Sequence, residues 1–123
     1  MRTIELRTPA GVTLSCGVAD GFRSRFVGLM GRSGLPEGES LLFVPGGSIH
    51  TFFMRFALDV AYLGPDGTVL RVAASVRPWR LSRAPRGTKL VLELAAGQAS
   101  ASGLGEGARL EGDWDALRRR RRL

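Results

Sequence analysis

The single histidine of the chain, His50, lies in the run Ser48 to Val60, SIHTFFMRFALDV, and Arg55 stands four residues before Asp59 in the same run. An imidazole that donates to a carboxylate can move protons near neutral pH, so His50 oriented by Asp59 would suit a hydrolase or transferase. Asp59 alternates with Ala57, Ala61 and Leu63, which predicts a desolvated carboxylate. An unpaired buried charge is costly, so Asp59 needs a cation or several backbone donors, and Arg25, Arg55 and His50 are the cations open to it. A buried Asp–Arg bridge would fix a helix against a sheet, serving specificity more than stability. The arginines point to a second chemistry. A guanidinium fork matches carboxylate and phosphate, so Arg25, Arg55, Trp79 and Arg80 would line a groove for an anionic or planar ligand, held in place by Asp59.

Other chemistry is thin. Cys16, the only cysteine, alternates with Leu14 and Val18 and reads as a buried structural thiol; alone it excludes an internal disulfide framework and a multi-cysteine metal site. One histidine does not make a His-rich metal centre, even with Asp59 and Glu93 counted beside it, so no metal and no cofactor is expected. The chain has no Walker loop, no nucleophile elbow and no HExxH. Gly103 to Gly107 lacks the flanking strand and helix of a dinucleotide fingerprint and reads as a turn.

These residues need elements to hold them. Thr3 to Arg7 and Val12 to Val18 alternate around a Pro9-Ala10-Gly11 turn, as two paired strands do. Phe22, Phe26, Leu29 and Met30 then recur at helical spacing behind Asp20, which predicts one prominent helix near residues 20–31 with Arg25 beside its apolar face. Leu41 to Val44 reads as a short buried strand. Ser48 to Arg55 reads as extended chain, and Phe56 to Leu63 as a strand apolar on both faces and therefore central. Gly64-Pro65-Asp66-Gly67 is a hairpin turn. The returning strand Val69 to Val76 would turn Leu70, Val72, Ala74 and Val76 inward. In Lys89 to Ala95, Leu90, Leu92 and Leu94 face in, with Val91 and Glu93 out. Strands joined by short turns with one helix give an α+β fold, mainly antiparallel β, built on a small curled sheet or barrel-like core.

A chain of 123 residues with 44% hydrophobic and 24% charged residues is long enough for one core. Residues 1–111 read as a single globular domain and 112–123 as an arginine-rich C-terminal tail. No run approaches the ~20 apolar residues that span a membrane. The opening MRTIELRTPAG carries no apolar segment after its charge, so the expected location is cytoplasmic. The net charge of +7 favours weak, non-specific contact with polyanions such as nucleic acid, and the tail offers a route for it. A dedicated nucleic-acid surface would interleave basic and aromatic residues on a recognisable module, and the sequence displays none.

Several separated motifs agree on one resemblance. Arg25-x-x-Gly28-Leu29-Met30-x-Arg32, Leu42-Phe43, SIHTFFMRFALDVAYLGPDGTVL, Pro78-Trp79-Arg80 and VLELAAG, in that order, resemble the domain of unknown function 192 family from about Arg25 to Gly107. The resemblance implies a small, mainly β domain with one prominent helix and no established enzyme activity. The family's recurring positions fall on Arg25, Gly28, Leu29, Met30, Met54, Asp59, Glu93 and Gly97. Some relatives have tryptophan where Phe53 stands and asparagine where Phe56 stands. The reading that follows is a small non-catalytic binding or interaction module whose partner is a small anionic ligand or a protein. The alternatives are the His50–Asp59 enzyme and an accessory polyanion binder acting through the tail.

Overall fold

The turn after Thr8 folds β1 (Arg2–Arg7) back on β2 (Thr13–Ala19), with the Gly11 N–H donating to the Thr8 carbonyl across it. The computed structural model describes residues 2–19, 35, 39–52, 54–115 and 117. The helix expected near residues 20–31, Arg25 included, lies outside the described residues, as do residues 118–123 of the tail.

Beyond this hairpin come β3 (Glu39–Phe43), β4 (Ile49–His50), β5 (Leu58–Leu63), β6 (Val69–Val76), β7 (Leu81–Ser82), β8 (Leu90–Ala95) and the one-turn helix α1 (Gln98–Ala101). Six strands form one sheet in the order β1-β2-β3-β8-β5-β6, and β4 pairs with β7 as a separate ribbon. Every pairing is antiparallel except β2 with β3, which is parallel. A parallel pair needs a crossover of a dozen or more residues, and the chain between Ala19 and Glu39 is long enough to supply it. The sheet does not close into a barrel: β1 and β6 remain its edges, and the segment from Gly107 to Glu111 runs beside both, through bridges from Arg109 to Thr68 and from Glu111 to Arg7 and a hydrogen bond from the Val69 N–H to the Ala108 carbonyl.

Both faces of the sheet are covered. Leu6, Leu14, Leu42, Leu63, Leu92, Leu110 and Trp114 pack on the first face, and Leu41, Met54, Leu58, Val60, Tyr62 and Val91 on the second. The whole of β5 is therefore buried, as its two apolar faces required. Each fully buried side chain of this kind contributes about 1.5–3 kcal/mol of transfer free energy. The first core takes in Trp114 and Leu117, past the Glu111 boundary drawn from the sequence. Trp114 closes over the β5–β6 turn. Gly67 sits there at φ +84°, where a Cβ would come within 2.5 Å of the indole.

Three expectations about strand faces need correction. The extended reading of Ser48 to Arg55 holds only for Ile49 and His50, because the Met54 N–H turns back to the Thr51 carbonyl. β6 does not alternate as a regular strand. Its register against β5 shifts twice, between Leu58 and Val60 and between Tyr62 and Leu63. Each extra residue flips the faces that follow it, so Val72 reaches the first core while Ala73 and Val76 reach the second. Glu93, assigned outward, is only 6% exposed, since the outward face of β8 is the second core.

Candidate functional site

Asp59 owes its position to the first of those bulges. Leu58 pairs with Val76 and Val60 with Ala73, so Ala74 and Ser75 together oppose Asp59. Ser75 adopts φ +52°, a left-handed conformation that costs a non-glycine residue roughly 1–2 kcal/mol. Its N–H is turned out of the ladder and donates to Asp59 Oδ1 at 2.9 Å. The Ala99 N–H, at the start of α1, donates to Oδ2 at 2.9 Å. The carboxylate, 1% exposed, is thus held by backbone donors from two elements. It pins the β6 bulge to α1 at the base of a shallow cleft of about 370 Å³ that Ser75, Gly97 and Ser100 also line.

His50 is elsewhere. Asp59 lies on the face of β5 that carries Ala61 and Leu63, whereas the β4–β7 ribbon is attached over the opposite face. The Tyr62 hydroxyl, on that opposite face, donates to Ser82 Oγ, and Ser82 pairs with Ile49. His50 is exposed, and its Nδ1 accepts the Phe52 N–H at 3.2 Å. The structure does not bring His50 and Asp59 together, and the geometry of an acid–base pair is missing.

The ribbon instead builds an exposed aromatic ladder. His50 lies against Phe52 with ring centroids 4.7 Å apart, and Phe52 stacks on Trp79 at 5.6 Å. Trp79 is 55% exposed and stands at φ +63°, a conformation that a bulky residue adopts only when its surroundings impose it. Thr51, fully buried, imposes it. Its hydroxyl donates to the Arg77 carbonyl at 2.6 Å and accepts the Arg80 N–H at 2.8 Å. Its backbone N–H donates to the Arg80 carbonyl and its carbonyl accepts the Trp79 N–H. Four contacts from one threonine shape the turn that presents Trp79.

Arg77 and Arg80 flank Trp79 and line a cleft of about 470 Å³ with Ser75, Leu81 and Ser82; among the described residues no carboxylate lines it. Leu81, paired with His50, is 74% exposed. Ser75 also lines the Asp59 cleft, so the carboxylate on one face of the sheet fixes an edge of the arginine cleft on the other. Arg55 is exposed, and Arg71 lies over the Tyr62 ring, donating to the Arg83 carbonyl. Of the expected groove residues, Trp79 and Arg80 meet; Arg25 lies outside the described residues.

Two buried groups complete the inventory. Burial pushes the Cys16 thiol up to about 11, against a smaller opposing effect of the Ser40 hydroxyl that donates to it, so Cys16 is an inert core residue. Burial lifts the Glu93 carboxyl from its ordinary 4.5 to about 7. Glu93 sits between Leu41 and Val60 across the strands, and its charge also disfavours ionisation of Tyr62, whose hydroxyl is raised chiefly by burial. Reading β8 as half-buried hid this residue; its place among the family's recurring positions was the one signal for it. No group of three or more metal-ligating side chains is found among the described residues.

Fold and site together define a class: a small β-rich α+β domain with a carboxylate-pinned bulge and a basic, aromatic surface turn. Residues 5–112 match the DUF192 family, "Uncharacterized ACR", and the chain belongs to it. It is 34% identical over 104 residues to a UPF0127 protein of Pyrococcus furiosus, a match covering 80% of this chain and 85% of that one. A protein of unknown function from Novosphingobium aromaticivorans has a similar solved structure, with TM-score 0.78 and 24% identity over 89% of this chain and 83% of the other. A candidate transcription regulator from Sinorhizobium meliloti is similar at TM-score 0.79 and 26% identity, covering 91% and 93%. The family is uncharacterised, and these likenesses indicate no specific function. Among the described residues no helix is long and apolar enough to cross a membrane.

Proposed function

We propose that this domain is a non-catalytic binding module that takes a small anionic ligand in the cleft between Arg77 and Arg80, beside Trp79. The observation that supports it most is the cleft's one-sided charge: among the described residues two arginines and no carboxylate line it, and Ser75 on its lining takes a left-handed φ of +52°. Guanidinium groups, here on the exposed Arg77 and Arg80, bind carboxylate and phosphate in a bidentate manner that few other side chains match. Asp59 serves this site from a distance by fixing Ser75, and Thr51 serves it by fixing Arg77 and Arg80. We place the protein in the cytoplasm, an assignment that cell fractionation tests.

The experiment is a thermal-shift and calorimetric series at physiological salt with pyrophosphate, citrate and inorganic phosphate. Wild type is compared with the Arg77→Ala, Arg80→Ala double variant. A ligand present at a hundred times its Kd stabilises the wild type by about 2.7 kcal/mol, and the double variant loses that gain. An anion that stabilises both proteins equally binds elsewhere and refutes the assignment.

A further inference from the structure

The cleft that holds Arg77 and Arg80 is apolar in its other lining, where Ala73, Val76 and Leu81 stand. Leu81, at 74%, is the most exposed large apolar side chain among the described residues, and Trp79, two positions earlier, comes next at 55%. Basic residues surround the pair in sequence. From Gly67 to Leu92 the chain carries Arg71, Arg77, Arg80, Arg83, Arg86 and Lys89 and no acid, and all six cations are exposed. Arg71 lies over the Tyr62 ring, whose hydroxyl donates to Ser82 Oγ in the cleft lining, and it also donates to the Arg83 carbonyl, so Arg71 and Arg83 stand beside the cleft. We propose that this face docks on an anionic lipid bilayer, with a headgroup phosphate held by Arg77 and Arg80 and with Leu81 and the solvent-facing part of Trp79 entering the interface. This deepens the anionic-ligand reading and rests on it: the anion is borne by a membrane instead of being dissolved.

Exposure decides between a bilayer and a single amphiphilic molecule. A cleft whose leucine is three-quarters exposed does not enclose an alkyl chain, so a fatty acid seated there would leave its tail in water. A bilayer supplies its own apolar phase, and a side chain that enters it is desolvated without a protein pocket. Charge complementarity sets aside the other occupants. A second copy of the chain would bring the same cations against this face. An apolar segment of another protein would cover Leu81 but dehydrate two guanidinium groups without pairing them. A nucleic-acid backbone would pair the arginines and offer Leu81 no apolar phase. An anionic leaflet satisfies both halves of the cleft: each basic residue held near it strengthens attachment about fivefold. Arginine with Trp and Leu is also the combination that holds amphipathic segments at a membrane interface. The Thr51 hydrogen bonds keep both arginines on one turn, so the two guanidinium groups start from the same edge.

The test is co-sedimentation of the full chain, at physiological salt, with vesicles of phosphatidylcholine alone and of phosphatidylcholine mixed equally with phosphatidylglycerol. Calorimetry with glycerol phosphate, the soluble headgroup fragment, runs beside it. Three variants are compared with wild type: Leu81→Thr, the Arg77→Ala, Arg80→Ala pair, and an Arg7→Ala, Arg109→Ala pair. The last removes the same charge from β1 and from the segment that bridges to Thr68, away from the cleft lining. Wild type is expected to bind the anionic vesicles and not the neutral ones. Leu81→Thr, a change at an exposed strand position, is expected to weaken vesicle binding about tenfold and to leave glycerol phosphate binding unchanged. The cleft pair is expected to lose about twentyfold, and the charge-matched pair at least about fivefold less than that. If glycerol phosphate binding depends on the cleft pair but anionic vesicles are not bound, or are bound equally well by Leu81→Thr, the membrane inference falls while the anion site stands. If the two double variants lose vesicle binding equally, net charge alone explains it and the membrane inference falls. If they also bind glycerol phosphate equally, the anion site falls with it. Duplex DNA that binds tighter than the anionic vesicles, and is lost in the cleft pair, overturns the choice of a membrane.

Discussion

Replacing Glu93 by glutamine turns the burial of one carboxyl into a measurable pH dependence. In the unfolded chain this group releases its proton near 4.5, whereas in the folded protein burial holds the proton to about 7. Between those values the folded state keeps a proton that the unfolded state has lost, so stability falls as pH rises. The contribution is fully present below about 4.5 and is gone above about 7. Each pH unit across that window removes about 1.4 kcal/mol, so the wild type loses on the order of 3 kcal/mol in all. Glutamine has nearly the same shape and does not titrate. Whatever its burial costs is the same at every pH. Urea denaturation from about pH 5 to pH 8, with the slope m checked for constancy, isolates the effect. The expected outcome is that Glu93→Gln is far less pH-dependent, and that wild type loses ground to it steadily toward pH 8. Parallel stability profiles for the two proteins would refute the claim that Glu93 is desolvated.

Two other substitutions test the frame of the site. Asp59→Ala leaves the Ser75 and Ala99 N–H groups without acceptors, which costs about 1–3 kcal/mol for each. Denaturation should show that loss, and the anion-induced thermal shift should shrink because Ser75 no longer fixes the cleft edge. An unchanged midpoint would mean that other groups hold the bulge. Thr51→Val keeps the shape of the side chain but strands the Arg80 N–H and frees the Arg77 carbonyl, a destabilisation of about 1–3 kcal/mol. If Trp79 emission and stability both stay at wild-type values, Thr51 does not shape that turn.

Much of the scaffold was legible because local chemistry dictates it. Pro9 to Gly11 and Gly64 to Gly67 force tight turns whatever surrounds them, so both hairpins followed from short runs of residues. The two-faced apolar run of β5 implied a central strand, and Leu90, Leu92 and Leu94 pointed to the core as their spacing required. The β6 bulges were not legible, because nothing within Val69 to Val76 records which of its residues lacks a partner on β5. Burial of Glu93 was misread for a related reason: alternation marks one wet face only when that face is wet, and here the second core covers it.

The sequence by itself determined that Asp59 would be buried and would need donors, since a carboxylate among alanines and leucines leaves no other outcome. It also marked Trp79 and Arg80 as a possible contact surface. Only the tertiary structure decided that Asp59 draws on backbone N–H groups and stands across the sheet from His50. It alone brought the rings of His50, Phe52 and Trp79 into contact and set Arg77 and Arg80 on one cleft. Residue type and spacing set what a side chain requires, but strand register and the β4–β7 pairing set which neighbours can meet that requirement, and those are fixed by contacts between distant parts of the chain.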